Sequence, residues 1–155
     1  MKILITGSSG FIGFHTAKKC LEAGHEVIGF DNNNDYYDVK HKIIRINILR
    51  NFSNFRFVEG DIATDTHLLT RCIKSSSHII HLAAQAGVPY SYKNPQKFYK
   101  SNVMGFHTIL ELARIFKPEN FVYASSSSVY GKSDASLFEE DDPLCATRSG
   151  FLYFC

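Results

Sequence analysis

Three glycines, Gly7, Gly10 and Gly13, recur at a spacing of three directly after a run of strand formers, in MKILITGSSGFIGFHTAKKC. A glycine turn between a strand and a helix gathers unpaired backbone N–H groups at the positive end of the helix dipole, an arrangement that suits an anion. Gly7 permits the tight turn out of the strand, Gly10 leaves the backbone open to a pyrophosphate, and Gly13 lets the helix pack close to the sheet. Asp31 closes the next strand, roughly 20 residues further on, where an acid hydrogen-bonds the ribose hydroxyls of a dinucleotide. The glycines alone would read as a structural turn without a ligand; glycines and acid together read as a dinucleotide site. A negative charge at Asp31 also repels a 2′-phosphate, so NAD is expected in preference to NADP.

The other chemistry-bearing groups are weaker signals. Ser125 to Ser128 end a strand at the edge of the sheet where open α/β folds bind ligands, whereas Ser75 to Ser77 read as a loop. Glu139 to Asp142 could pair as acids or hold a metal, but a contiguous loop run reads as solvated. The seven histidines show no metal-ligand spacing; His78 and His81 sit in a strand-like run whose odd offset sends them to opposite faces. No metal is expected. The four cysteines, Cys20, Cys72, Cys145 and Cys155, form no C-x-x-C pair and fit a reducing cytoplasm, with Cys20 and Cys72 as helix-packing residues.

Alternating strand and helix patterns must position these groups. KILIT is a short buried strand, and FIGFHTAKKCLEAG a helix closed by Gly24. HEVIGFD, FRFVEGD, SHIIHLAA and NFVYASSS are the remaining strands. VKHKIIRINIL is a helix with Val39, Ile43, Ile46 and Leu49 at helical intervals, and THLLTRCIKS is a short one. Asn94-Pro95 opens a helix that runs through FYKSNVMGFHTILELARIF until Pro118 stops it. This rhythm implies right-handed crossovers and a parallel α/β sheet. After Tyr130 it stops: GKSDASLFEEDDP reads as a surface loop, and LCATRSGFLYFC as a short apolar tail without a period.

The totals narrow the classes. A length of 155 residues suggests one domain with a real core, and 45% hydrophobic and 21% charged residues are ordinary for a globular chain. A net charge of +2 with scattered lysines and arginines argues against nucleic acid. No apolar run approaches a membrane span, and MKILITG reads as mature structure rather than a signal peptide.

The glycine spacing is T-G-x-x-G-x-x-G from Thr6, which resembles the short-chain dehydrogenase/reductase superfamily, and GFIG points to its extended branch of nucleotide-sugar epimerases and dehydratases. GHEVIGFDNNNDYYD, GDI at Gly60 to Ile62, HLAAQAGVPYS, NPQKFYKSNVMGFHTILELAR and FVYASSSSVYG each resemble segments of UDP-glucuronate 4-epimerases, from Met1 to about Pro143. The resemblance implies that Gly7, Gly10, Phe11, Ile12 and Gly13 hold the pyrophosphate, and that Asp31 and Asn32 meet the adenosine ribose. It places Asp61 and Ile62 beside the adenine, and Leu82, Ala83, Ala84 and Gln85 along the path to the nicotinamide ribose. Asn102 falls beside the nicotinamide end, and Ser126 is the serine that hydrogen-bonds the reacting sugar hydroxyl. A nucleotide sugar of the UDP-glucuronate type and a second copy of the chain, as a homodimer, are the implied partners. One departure stands out: Pro89 occupies a place where these epimerases carry arginine. Ser127 and Ser128 stand where dehydratases carry an Asp-Glu pair for water elimination, which argues against a dehydratase.

Family chemistry also needs a Y-x-x-x-K, whose tyrosine takes the proton of the C4 hydroxyl and whose lysine lowers that tyrosine's pKa. Counting from Asp141-Asp142, the tyrosine place lands on Phe151 and the lysine place on Cys155; setting LCATR against the family's Y-A-A-T-K puts Leu144 and Arg148 there instead. Neither alignment supplies a tyrosine. The resemblance therefore implies a doubly wound parallel α/β sheet in the order 3-2-1-4-5, an NAD-binding Rossmann domain over residues 1–143, a non-family tail over 144–155 of frame-shifted or alternative character, no C-terminal substrate domain, and an epimerase portion without catalytic competence. A non-catalytic NAD-binding module, or another nucleotide-sugar epimerase or dehydratase, is the alternative.

Overall fold

The computed structural model describes residues 1–130 and 137–142. Five strands, β1 (Lys2–Thr6), β2 (Glu26–Asp31), β3 (Phe55–Glu59), β4 (His78–His81) and β5 (Asn120–Tyr123), form one parallel sheet in the order β3-β2-β1-β4-β5. That is the expected doubly wound order, with its reversal at β1. Helices α1 (Phe11–Glu22), α2 (Val39–Leu49), α3 (Thr66–Lys74), α4 (Val88–Lys93), α5 (Pro95–Phe98) and α6 (Phe106–Phe116) make the connections.

Alternation along β1 explains the two-sided core, because successive strand residues point to opposite faces. Ile3 and Ile5 pack with Phe14, Ala17 and Leu21 of α1 and Leu49 of α2. Leu4, between Ile28 and Ile79 in register, packs with Leu69, Cys72 and Ile73 of α3 and Ile109 and Leu112 of α6. Cys20 lies against the first of these clusters and Cys72 inside the second, as expected of helix-packing cysteines.

Three expectations change. The helix from Pro95 to Phe116 is not continuous: Tyr99–Gly105 is π-helical, widening the helix between α5 and α6. A short helix, α4, precedes it, with Pro89 in its first turn. On α2, Ile43 is exposed, while Lys42 is buried beside Ile46 and Leu49. The face assigned to Ile43 turns to Lys42 because the ammonium finds acceptors in the preceding loop. Among the described residues no helix is long and apolar enough to cross a membrane. Residues 143–155, and with them Leu144, Cys145, Arg148, Phe151, Cys155 and the whole of the expected tail, lie outside the described residues.

Candidate functional site

At the C-terminal edge of the sheet the chain leaves β1 through Gly7 at φ +73°, with the Gly7 N–H donating to the Phe30 carbonyl at 2.8 Å. A side chain on Gly7 would press on the Leu82 carbonyl and the Ala83 nitrogen at 2.8 Å, so the exit from β4 runs directly against this turn. Gly13 carries a further correction. A Cβ there would overlap the carbonyl of Gly7, so the absence of a side chain lets α1 close on the glycine turn itself rather than on the sheet. Gly10 precedes α1 with no side chain capping it and no acid in the first turn. The N–H groups of Phe11, Ile12 and Gly13 have no intrahelical acceptor by helix geometry. That cradle fits a pyrophosphate. Phe11 and Ile12 contribute backbone only, since their side chains are 68% and 63% exposed and Phe11 instead faces His15 and Arg45.

Asp31 is buried at the end of β2, and its carboxylate is already engaged. It accepts the Ser9 N–H at 3.1 Å and the Asn33 N–H at 2.9 Å. The Ser9 hydroxyl donates to Asn33 Oδ1 at 2.8 Å, and Arg45 donates to the Ser9 carbonyl at 3.2 Å. The glycine turn is thus fastened to the loop that follows β2. Asn32 is exposed, and its amide approaches Asp61 Oδ2 at 3.4 Å. Lys42, which sequence reasoning passed over, lines the same cleft as Asp31 and donates to the Asn34 carbonyl at 2.9 Å and to Asn34 Oδ1 at 3.1 Å. Burial lowers the pKa of its ammonium, and the nearby charge of Asp31 offsets part of that. The one available signal was a lysine four residues before Ile46, on the helix stripe that points inward.

Asp61 does not line the cleft. It receives the Lys100 ammonium at 2.8 Å and the Ala63 N–H at 2.9 Å, and its own N–H donates to Asp65. Burial raises its pKa, but the Lys100 hydrogen bond and the other donors outweigh that and hold it below the usual carboxylate range. Ile62 does line the cleft, a space of about 110 Å³ that also touches Gly7, Gly10, Asp31 and Asn32.

Leu82, Ala83, Ala84 and Gln85 form a wall shared by this cleft and a second cavity of about 360 Å³. Thr6 positions its start: the hydroxyl accepts the N–H groups of Leu82 and Ala83, both at 3.2 Å, and lies 2.7 Å from His81 Nδ1. With both lone pairs taken, the hydroxyl donates to Nδ1, so His81 is the neutral tautomer with its proton on Nε2. Burial pushes the His81 pKa down to about 4. Asn102, carried by the π-helical segment, clasps the end of the wall through two bonds to Gln85, accepting from its N–H at 2.8 Å and donating to its carbonyl at 3.0 Å. Asn102 and Ser126 both line the second cavity, with His81, Phe106 and Tyr123.

The tyrosine and lysine places of either alignment lie outside the described residues. A Tyr36-x-x-x-Lys40 does occur in the sequence, but Tyr36 lies on the loop after β2, in the first cleft, and Lys40 is exposed on α2. Neither lines the cavity of Ser126. Glu139, Glu140 and Asp141 are exposed, the Glu139 N–H turning back to Asp142. Among the described residues no group of three or more His, Cys, Asp or Glu is placed to hold a metal.

The family model of GDP-mannose 4,6-dehydratase matches residues 4–149. Protein CapI of Staphylococcus aureus is 45% identical over 145 residues, covering 93% of this chain and 43% of that protein. A probable UDP-glucuronate 4-epimerase of Rhizobium meliloti is 43% identical over 144 residues, or 92% of this chain and 42% of the relative. The crystal structure of UDP-glucuronic acid 4-epimerase from Bacillus cereus, in complex with UDP-glucuronic acid and NAD, superposes with a TM-score of 0.83 at 32% identity, over 94% of this chain and 46% of that one. The chain therefore spans less than half the length of these relatives.

Proposed function

The chain belongs to the GDP-mannose 4,6-dehydratase family of NAD-dependent epimerases and dehydratases, and on that premise we propose that residues 1–143 are the NAD-binding part of a nucleotide-sugar 4-epimerase of the UDP-glucuronate type. The observation that carries this reading is the fastening of Asp31 to the glycine turn, which brings an anion cradle and a ribose-binding acid to one cleft. The likeness to an epimerase solved with NAD and UDP-glucuronic acid supports it. A cytoplasmic homodimer belongs to the same family reading.

NAD, when bound, supplies the acceptor and donor of hydride at the sugar C4. The N–H groups of Phe11, Ile12 and Gly13, with Gly7 and Gly10 leaving room, hold the pyrophosphate. Asp31 and Asn32 take the ribose hydroxyls; each Asp31 oxygen retains a lone pair beyond the backbone bond it accepts. Ile62, which lines the cleft, would flank the adenine, with Asp61 behind Asn32 and tied to Lys100. Leu82 to Gln85 line the way to the nicotinamide ribose, with Asn102 fixing their end. Ser126 hydrogen-bonds the sugar hydroxyl. It does not deprotonate that hydroxyl unaided, because a serine is activated only by an adjacent base. His81 lines the same cavity, but its Nδ1 lone pair is occupied by Thr6 and its other nitrogen holds the proton.

Calorimetric titration of the purified chain with NAD and with NADP tests the reading. Tight NAD binding and weaker NADP binding are expected; equal or tighter NADP binding would refute the role given to Asp31. A non-catalytic NAD-binding module is the second reading, favoured by the lack of a tyrosine at either aligned place. It is told apart by grafting a family C-terminal half after Asp142: the epimerase portion then turns over UDP-glucuronate, whereas the module binds NAD without turnover.

A further inference from the structure

Tyr36 belongs to the segment leaving β2, and Gly87 and Tyr90 to the segment leaving β4. These strands are not neighbours. β1 lies between them, so their exits start two inter-strand spacings apart, about 10 Å, on either side of the glycine turn. Yet the two segments touch. The Tyr36 and Tyr90 rings lie 4.7 Å apart, and the Tyr36 hydroxyl occupies the space that a Cβ on Gly87 would fill. Gly87 is held at φ +103°, which a residue with a side chain rarely adopts, so both its conformation and its bareness suit the seated tyrosine.

The near end of this segment is anchored differently. Lys42 holds Asn34 by its carbonyl and its side chain, and the Tyr36 N–H points back to Asn34 Oδ1 at 3.3 Å. A charged, buried anchor at Asn34 and a half-buried ring contact at Tyr36 make a segment fixed at one end and latched at the other. Tyr36 and Tyr37 line the cleft together with Leu82 to Gln85. We propose that residues 32–38 form a strap latched across the dinucleotide cleft by Tyr36 on Gly87 and Tyr90, and that opening of this latch sets the rate at which a bound dinucleotide exchanges. The proposal rests on the NAD reading above and adds a consequence: a cofactor that returns its hydride to the sugar and regains its oxidised form in each turnover has no need to leave, and a latch keeps it in place.

The latch contacts are all between protein groups. Removing them from the side of Tyr90, which does not line the cleft, therefore speeds entry and exit together and leaves the equilibrium affinity within a few-fold. The probe is NADH, whose fluorescence reports binding in stopped flow and release when bound NADH is chased with excess NAD. In the full 155-residue chain, Tyr36→Ala and Tyr90→Ala are each expected to raise both rates about three- to tenfold, the scale of one aromatic pair. Tyr36→Phe, which keeps the ring over Tyr90, raises them less. Should Tyr36→Ala fail to fold by circular dichroism, Tyr90→Ala carries the test from the other side of the latch. Unchanged rates in the folded alanine variants would overturn the strap and leave the NAD reading intact. A faster release with unchanged entry makes Tyr36 a direct ligand contact, which also overturns it. No NADH binding by the unaltered chain would overturn the NAD reading and the strap together.

Discussion

Asp31 has two tasks at once, and the measurable consequences of losing it are correspondingly two. Its carboxylate is the ribose acid of the proposed function and the acceptor that holds Ser9 and Asn33. Asp31→Ala is expected to weaken NAD binding by about 1–3 kcal/mol, the range for charged hydrogen bonds, read by calorimetry. It should also lower the thermal midpoint of the unliganded chain, because the Ser9 N–H is left without its acceptor. His81 makes a second residue-scale prediction. Its folded pKa is about 4 against 6.5 as the ordinary value, so the unfolded chain binds the proton more readily. The associated stability is fully present above pH 6.5 and is lost as the pH falls through about 4. Unfolding free energies from denaturant titrations at pH 7 and pH 4 should differ by about 3 kcal/mol more in the unaltered chain than in His81→Asn. Equal differences in the two proteins would remove His81 as the cause. Asp31 was legible in the sequence because a strand-ending acid after a glycine turn has few other uses. Lys42 was not, because a lysine inside an isoleucine-rich stretch reads as the solvent face until its acceptors in the Asn34 loop are seen.

The π-helical segment is the element that sequence periodicity misses most completely. FYKSNVMGFHTILELAR keeps an apolar rhythm close enough to 3.6 that one continuous helix is the natural reading, and a π-turn has no composition of its own. Its effect is local. It delivers Lys100 to Asp61 and Asn102 to Gln85, and brings Gly105 so close to Ile62 that a Cβ there would lie 2.6 Å from the Ile62 side chain. Asn102→Ala strips the Gln85 N–H and carbonyl of that partner in one step. A loss of about 1–3 kcal/mol of stability is expected, with weaker NAD binding in the same protein, since Gln85 ends the wall of the cleft. Unfolding curves with and without NAD would separate the two effects; a variant as stable as the unaltered chain would show the clasp to be dispensable. The strands and longer helices were legible because burial on two faces writes continuous apolar runs for strands and amphipathic stripes for helices. Helix α4 is only six residues long and escaped for lack of a period to read.

For the molecule as a whole, the expected outcome is a dinucleotide binder that does not epimerise. Proton abstraction from a sugar hydroxyl needs a positioned base, a contribution worth ~10²–10⁴-fold, and neither Phe151 nor Leu144 is one. Incubating the purified 155-residue chain with UDP-glucuronate and following the sugar nucleotides by chromatography should show no conversion above background. Conversion at an ordinary enzymatic rate that disappears in Ser126→Ala would place a working active site inside these residues and refute this expectation. A parallel sheet was legible from the strand–helix rhythm, but its order came with the family resemblance, since an order of 2-1-3-4-5 has the same rhythm and the same crossover handedness.

The bond from Ser9 to Asp31 has a bearing on protein engineering. Reversing cofactor preference in such folds suggests replacing the ribose acid with a small or neutral residue, to admit the extra phosphate. Here that exchange also unfastens the glycine turn that the proposed function assigns to the pyrophosphate, so a single substitution should damage the use of either cofactor. A workable redesign has to give the Ser9 N–H a new acceptor, and Asn33, which already receives the Ser9 hydroxyl, is the side chain best placed to be rebuilt for it. Cofactor choice and loop shape are then one design variable, to be changed together in paired libraries at positions 31 and 33.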